Sequence, residues 1–586
     1  MRPRATSCER ILTQELTVNN RRERRSVNTR EDRPLTYVES NSLIDLEIRW
    51  QRLISVMDEV DTATVKTSFS TIVGESRDFA CILLDPRGAS LCQSSFSPPD
   101  FCVSITRTSR VILERFPLTT LEPGDVLVTN DPWIGDGHLP DYFVLTPVFH
   151  RDRVVAFMGT VAHVADVGGH PGDIVASDVF TEGVRVPPAK LYRAGAENRL
   201  LFEIIGGNCR VPEMVLGDLR AIVGTHQVGA RRLMEFLEDE RLDDLDGLAD
   251  EIHGRSEALM RERIERWPDG RYEFGLDIDG YLETVHLHAV VTIDGRDVLV
   301  DYAGTSPQVA DAAINCTYNT TRSSTMYPFK CALVPGIPNN EGLFAPVRVV
   351  APEGCILNTT FPHPVSARAK TPNNINQVLF GALWPVLGEH AQAGSGSIWP
   401  FSVSGRTAEH GWFSVHVLPH GGRGAMRDLD GMVPIAFPHN SAVTPVEVFE
   451  TQCPVMIGCK ALRVDSAGAG RRRGGPGQLM TFRNVGHDTI SARVRPDKIR
   501  HPAPGLAGGS PGAPGRVLFN GRELDAFPIL PFAPGDEITL EIPGGAGFGP
   551  AAERGRAEVA RDVALGYLTE AEVRRTYGRA MLEETA

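Results

Sequence analysis

Residues 130–149, NDPWIGDGHLPDYFVLTPVF, are followed after a strand-like connector by residues 162–172, AHVADVGGHPG. His138 and Asp141 stand three residues apart in the first segment, and His163 and Asp166 repeat that spacing 25 residues later. Imidazole and carboxylate groups hold divalent metals, and Gly and Pro shape the loops that present them. The runs YFVLTPVF and RVVAFMGTVAHVAD are short, apolar and bounded by turn residues, so they read as strands whose ends carry the His and Asp residues. In a loop closed by Pro140, His138 and Asp141 can turn toward one point. His163, at the end of a buried strand, can reach the same point from a neighbouring strand. Ligands of N, O and N type leave positions open for water or substrate, as a catalytic metal requires. Ordinary loop residues satisfying backbone groups would give the same pattern, because short motifs recur by chance. Asp166 is either a fourth ligand or, preferably, a carboxylate that orients a histidine N–H and so assists catalysis indirectly. Asp131 reads as the cap of the Asn130-Asp131-Pro132 turn. His170 and Asp173 lie near enough to compete as ligands.

Upstream, Leu46, Trp50, Leu53, Met57 and Val60 recur at helical spacing, so 43–65 is an expected amphipathic helix. FACILLDPRGASLCQ, at 79–93, reads as two strands turning at Pro86-Arg87-Gly88. Residues 1–34 carry nine Arg, including RRERR at 21–25, and no apolar period, which predicts a disordered extension. Downstream, 214–265 is helical in pattern. Its acidic run EDERLDDLDGLADE, at 238–251, reads as a solvated face or connection. Residues 281–302 alternate about Asp294-Gly295, a hairpin signal. A β-rich section is expected near 270–550, with loops at GRRRGGPGQ (470–478) and PGGAGFGP (543–550). Thr569-Glu570-Ala571-Glu572 fits a capping box, so 551–586 is read as a helical end. The expected fold is therefore α+β, mixed and multi-layered, with the body spanning 35–580.

A chain of 586 residues, 42% hydrophobic and 23% charged, is in the range of globular proteins. No apolar run of about 18 residues is present, so no membrane span is expected. The net charge of −14 argues against a nucleic-acid binder. Ten scattered Cys without a CxxC pair exclude a zinc ribbon and fit reduced thiols in the cytoplasm. Cys316 or Cys453 could act as a nucleophile, but burial as a small core side chain is the stronger reading. There is no Walker A lysine, no HExxH and no Gly-x-Ser-x-Gly elbow. GAGRRRGGPG, at 468–477, could bind an anion, though a tight structural turn with exposed arginines explains it better. His286 and His288 share one face of a strand, which fits a metal site or a half-exposed face equally.

NDPWIGDGHLPD followed by AHVADVGGHPGD resembles the hydantoinase B family, which includes the C-terminal half of 5-oxoprolinase and the alpha subunit of acetone carboxylase. Further blocks are similar: LIDLEIRWQRLISVMDEV, ESRDFACILLDPRG, EGVRVPPAKL at 182–191, DYAGTSPQV at 301–309, PEGCILNTTFPHPVSAR at 352–368, TPVEVFETQCPV at 444–455 and DSAGAGRRRGGPG at 465–477. The resemblance runs in order over about 40–580. It implies a metal-bearing subunit working with a hydantoinase A-like partner that binds ATP and phosphorylates the substrate, in a hetero-oligomer. It implies a divalent metal, manganese first, with zinc or iron as alternatives, held by His138, Asp141 and His163. The implied reaction is ATP-dependent opening of a cyclic amide. The alternatives are carboxylation of a ketone by an acetone-carboxylase-type subunit, and a non-catalytic assembly role. Relatives usually have Gly-Gly-Thr-His where this chain has Gly135-Asp136-Gly137-His138, and a Ser where it has Asp173. The metal-binding residues match the family while their surroundings differ.

Overall fold

The computed structural model describes residues 37–170 and 173–582; the expected extension at 1–34 lies outside them. The expected amphipathic helix is α1, Tyr37–Thr67. The expected hairpin is β1, Phe79–Leu84, and β2, Ser90–Gln93. With β3 (Val126–Thr129), β4 (Asp141–His150), β5 (Arg153–His163), β6 (Ala189–Arg193) and β7 (Ala196–Glu197) they form an antiparallel sheet in the order β2-β1-β5-β4-β3-β6-β7.

This sheet is covered on both faces, which explains why its strands read as continuous apolar runs. Phe79, Cys81 and Leu83 pack with α1 and α3, Pro212–Glu240. Ala80, Ile82 and Leu84 pack on the other side with Phe101, Ile105 and Ile112 of α2, Pro99–Arg115. Successive strand residues alternate faces, so every side chain of β1 is buried. Each fully buried Leu, Ile or Phe contributes about 1.5–3 kcal/mol.

After α3 the chain forms α4, Asp246–Ile264. The acidic run is their connection and anchors basic side chains: Asp243 pairs with Arg151, and Asp250 with Arg87. A second sheet follows, β8 (Gly270–Asp279), β9 (Thr284–Asp294), β10 (Asp297–Asp301) and β11 (Val347–Val350). The Asp294-Gly295 turn joins β9 to β10, with Gly295 at φ +58°.

Helices also lie within 270–550, the two longest being α5, Tyr318–Leu333, and α6, Pro372–Leu383. Every residue of α6 is buried. Its polar residues, Asn373, Asn374, Asn376 and Gln377, share one side but are buried too, so the helical pattern does not mark a solvent face. Two further sheets follow. One runs β13-β12-β16-β19: β12 is Phe401–Thr407, β13 Gly411–Val417, β16 Ile490–Val494 and β19 Leu530–Phe532. The other runs β14-β15-β20-β17-β18: β14 is Val455–Arg463, β15 Gly477–Asn484, β17 Arg516–Phe519, β18 Arg522–Glu523 and β20 Glu537–Glu541. The two pack through Phe401, Phe413, Phe449 and Phe482.

The glycine-rich loops interlace: Gly468 N–H donates to Gly545 O (2.8 Å), and Arg472 N–H donates to Phe548 O (2.9 Å). Their arginines are not an exposed anion site. Arg473 is buried against Asp562 (3.2 Å), and Arg472 pairs with Glu558 (2.6 Å). Both acids come from α7, Arg556–Ala564. The terminal α8, Glu570–Thr576, is capped by Thr569 Oγ1, which accepts from Glu572 N–H (3.2 Å). The reciprocal half of the box is supplied by Asp465, whose carboxylate accepts from Thr569 N–H (2.7 Å). Among the described residues no helix is long and apolar enough to cross a membrane.

Candidate metal centre

Strand pairing places the site. β4 and β5 are joined through Arg151 and Asp152, both at positive φ, as a two-residue hairpin turn requires. A bulge follows: Val148 pairs with Ala156, Phe149 with Val154, and Val155 is the extra residue. Past the bulge the register brings Asp141, first in β4, directly opposite His163, last in β5. A one-residue slip would turn the His163 side chain to the other face.

His138 comes from the 130–140 loop, which is pinned at several points. Asp131 Oδ1 accepts from Trp133 N–H (3.0 Å), making the expected turn cap. At the start of α5, Asn319 Nδ2 donates to Gly135 O (2.9 Å) and Thr320 Oγ1 donates to Asp136 O (2.9 Å). Gly137 has φ +89°, and a Cβ there would stand 2.3 Å from Thr320 Oγ1 and 2.8 Å from Arg368 Cδ. Glycine is therefore required by both backbone and space.

The three side chains meet. His138 Nε2 lies 2.8 Å from Asp141 Oδ2, and His163 Nδ1 lies 3.1 Å from Asp141 Oδ1. One donor atom from each residue falls within 4.8 Å of the others, the one such group of three or more among the described residues. Arg368 Nη2 bridges Asp136 (2.7 Å) and Asp141 (2.9 Å) from a buried position. Burial opposes the Asp141 charge, but His138, His163 and Arg368 outweigh it and hold this carboxyl well below its ordinary value. Burial raises Asp136, with Asp141 repelling it further. Burial also holds His138 down at about 4, so its imidazole is neutral at pH 7, as a ligand must be.

The site opens into a cavity of about 100 Å³. Asp78 lines it, with Oδ2 4.0 Å from His163 Nδ1. His416 of β13 and His439 also line it, held by burial at about 3 and about 4. Arg495, just past β16, completes that wall. The cavity thus lies between the ends of the central strands β4 and β5 of the first sheet and the third sheet.

Asp166 stands elsewhere. Its carboxylate accepts from Gly168 N–H (3.1 Å), from Arg210 Nη1 (2.8 Å) and from Arg210 N–H. It closes a turn and fastens the segment before α3, and these partners include neither His138 nor His163. Asp173 pairs with Arg493 (3.1 Å), and the His170 backbone N–H donates to Thr181 O (3.0 Å). His286 and His288 pair separately with Asp277 (2.7 Å) and Glu273 (3.0 Å) on the exposed face of the second sheet. The nine described cysteines are all free. Cys316 and Cys453 are buried, and burial pushes both thiols up, Cys453 to about 12, away from nucleophilic thiolate.

Spacing alone does not reveal Asp78, Asp136, Arg368, His416, His439 or Arg495. Three of them lie inside the family-like blocks: Asp78 ends ESRD, Asp136 sits in GDGH, and Arg368 ends PVSAR. Those blocks signal a site, but their residues have no visible partner until the chain folds.

Comparison with known proteins agrees with this architecture. The chain is 31% identical over 569 residues to a protein of Pseudomonas sp. (strain NS671) described as the B-type subunit of a D-/L-hydantoinase, covering 91% of this chain and 94% of that one. It is 25% identical to 5-oxoprolinase 1 of Arabidopsis thaliana, covering 86% of this chain and 42% of that one. The ATP-dependent caprolactamase of Pseudomonas jessenii superposes with a TM-score of 0.83 at 26% identity, covering 91% and 96% of the two chains. Nucleotide-free acetone carboxylase shares the fold, with a TM-score of 0.85 at 18% identity over 93% and 81%. The sequence profile of the hydantoinase B/oxoprolinase family matches residues 42–551, through every block that builds the cavity, and the chain belongs to that family.

Proposed function

We propose that this chain is the metal-bearing, ring-opening subunit of an ATP-dependent cyclic amide hydrolase. It works with a hydantoinase A-type subunit that binds ATP and phosphorylates the substrate. The observation that carries the reading is the convergence of His138, Asp141 and His163 on one point of a cavity. Two nitrogens and one carboxylate suit a borderline divalent ion and leave coordination positions free. A divalent ion held there would supply Lewis-acid polarisation of the amide carbonyl or a water of lowered pKa.

The chain's own residues do the rest. His138 is kept neutral by burial. Arg368 holds Asp141 in one orientation and balances the buried carboxylates. His416 and Arg495, from the third sheet and the segment just after it, wall the cavity on that side. Amide chemistry is favoured over ketone carboxylation because two relatives above 25% identity are, by their descriptions, a hydantoinase subunit and a caprolactamase.

The test is metal analysis of the purified full chain beside its His138→Ala variant, followed by turnover of a hydantoin or lactam with ATP and the partner. About one metal per chain, lost in the variant with the fold intact, is expected. Turnover should proceed without bicarbonate. Absence of stoichiometric metal, or full activity in the variant, would return the chain to the assembly role. An absolute need for bicarbonate would establish the carboxylase reading.

A further inference from the structure

The cavity holds two guanidinium groups in different states. Arg368 is committed, bonded to Asp136 and Asp141. Arg495 is not. Its backbone N–H donates to Pro400 O (3.1 Å), which fixes where the side chain starts. Its guanidinium has no hydrogen bond and no ion pair among the described residues, although it lines the cavity. The nearby Asp173 is already taken by Arg493, whose Nε lies 3.1 Å from Oδ1 and whose Nη1 bonds Ser404 (3.2 Å). Nearby His416 is held neutral at pH 7 by burial, so it adds no second positive charge beside Arg495.

We propose that Arg495 is the receptor for an oxyanion of the substrate, a carboxylate or a phosphoryl group, and so selects anionic substrates over neutral ones. This rests on the cavity being the substrate site. Arg495 is partly buried, and the only carboxylate that acts on it, Asp173, is hydrogen-bonded to Arg493 instead, so an anionic ligand would give its guanidinium the partner it lacks. Guanidinium presents a planar fork that matches carboxylate and phosphate oxygens in pairs. Burial and the adjacent Arg493 hold Arg495 at about 10, so it still carries its charge at pH 7. Asp78 and Asp100 also line the cavity, Asp78 beside His163 and Asp100 beside His439 (4.0 Å each), so neither is bonded to Arg495.

The test is calorimetric binding of inorganic phosphate and of acetate to the chelator-treated full chain, where no metal contributes anion affinity. Wild type, Arg495→Gln and Arg495→Lys are compared, and metal uptake by each reports that the centre is intact. Loss of a charge-assisted bond predicts about tenfold or greater weakening in Arg495→Gln, with partial recovery in Arg495→Lys. Preference for phosphate identifies the phosphoryl group as the natural occupant; preference for acetate identifies a carboxylate. Equal binding by wild type and Arg495→Gln, or no binding by wild type, overturns the proposal. If Arg495→Gln does not fold, loss of bidentate affinity in Arg495→Lys decides alone. Phosphate binding that persists in His138→Ala while metal is lost separates this assignment from the metal reading.

Discussion

Replacing Gly137 with Ala tests how the metal-site loop is held. Two terms add. Alanine at φ +89° costs about 1–2 kcal/mol from the clash of Cβ with the backbone. The new methyl would also sit 2.3 Å from Thr320 Oγ1 and 2.8 Å from Arg368 Cδ, so both side chains must move. Overpacking of that kind costs about 1–3 kcal/mol. The sum is about 2–5 kcal/mol. Gly295→Ala is the control, at φ +58° with nothing within 4 Å of its Cβ. It carries the backbone term only, about 1–2 kcal/mol. The stabilisation that any Gly→Ala change brings by restricting the unfolded chain cancels between the two. Urea unfolding should therefore show an excess of about 1–3 kcal/mol for Gly137→Ala. Moving Thr320 and Arg368 releases Asp136 and Asp141, so metal retained after dialysis should fall in Gly137→Ala and stay constant in Gly295→Ala. An excess below about 0.5 kcal/mol with metal retention unchanged would refute the close approach on which the site's geometry depends.

Arg368→Met should destabilise the chain by about 3–5 kcal/mol, because it leaves the buried Asp136 and Asp141 without their cation; chemical denaturation at pH 7 reads this directly. His226 hydrogen-bonds Thr146 and Thr160 (2.8 Å each), and burial holds it at about 3 in the fold, against about 6.5 in the unfolded chain. Its folded value is depressed, so the unfolded state binds the extra proton between about pH 6.5 and 3, and stability falls as pH falls there. Over the acid part of that window the slope from this group approaches about 1.4 kcal/mol per pH unit, and His226→Gln should show a shallower fall between about pH 6 and 5, of order that slope. Thr569→Ala removes the cap of α8 and should cost about 1 kcal/mol without altering metal content, as thermal unfolding beside metal analysis would reveal.

Local pattern was enough wherever an element is half exposed or ends in a distinctive turn. The α1 stripe, the Gly88 hairpin, the Asp294-Gly295 turn and the Thr569 Oγ1 half of the last cap are each written in their own stretch of chain, while the other half of that cap comes from distant Asp465. The buried α6 is the opposite case, since its polar side, Asn373, Asn374, Asn376 and Gln377, is itself enclosed by distant segments that local pattern does not reveal. Asp166 shows the limit of spacing. It repeats the His-x-x-Asp pattern, yet three residues beyond β5 the chain has turned away, and Arg210 holds the carboxylate there.

Sequence alone determined the residue types of the centre: His138, Asp141 and His163, with a glycine before the first histidine. Only the tertiary structure decided that these three converge, because the Val155 bulge sets the register that faces Asp141 with His163. Only folding brought Arg368 to the carboxylates from 227 residues away and placed Arg495 in the same cavity. The reason is physical. Periodicity and turn chemistry act over a few residues, whereas the pairing of buried charges depends on which distant segments enclose them.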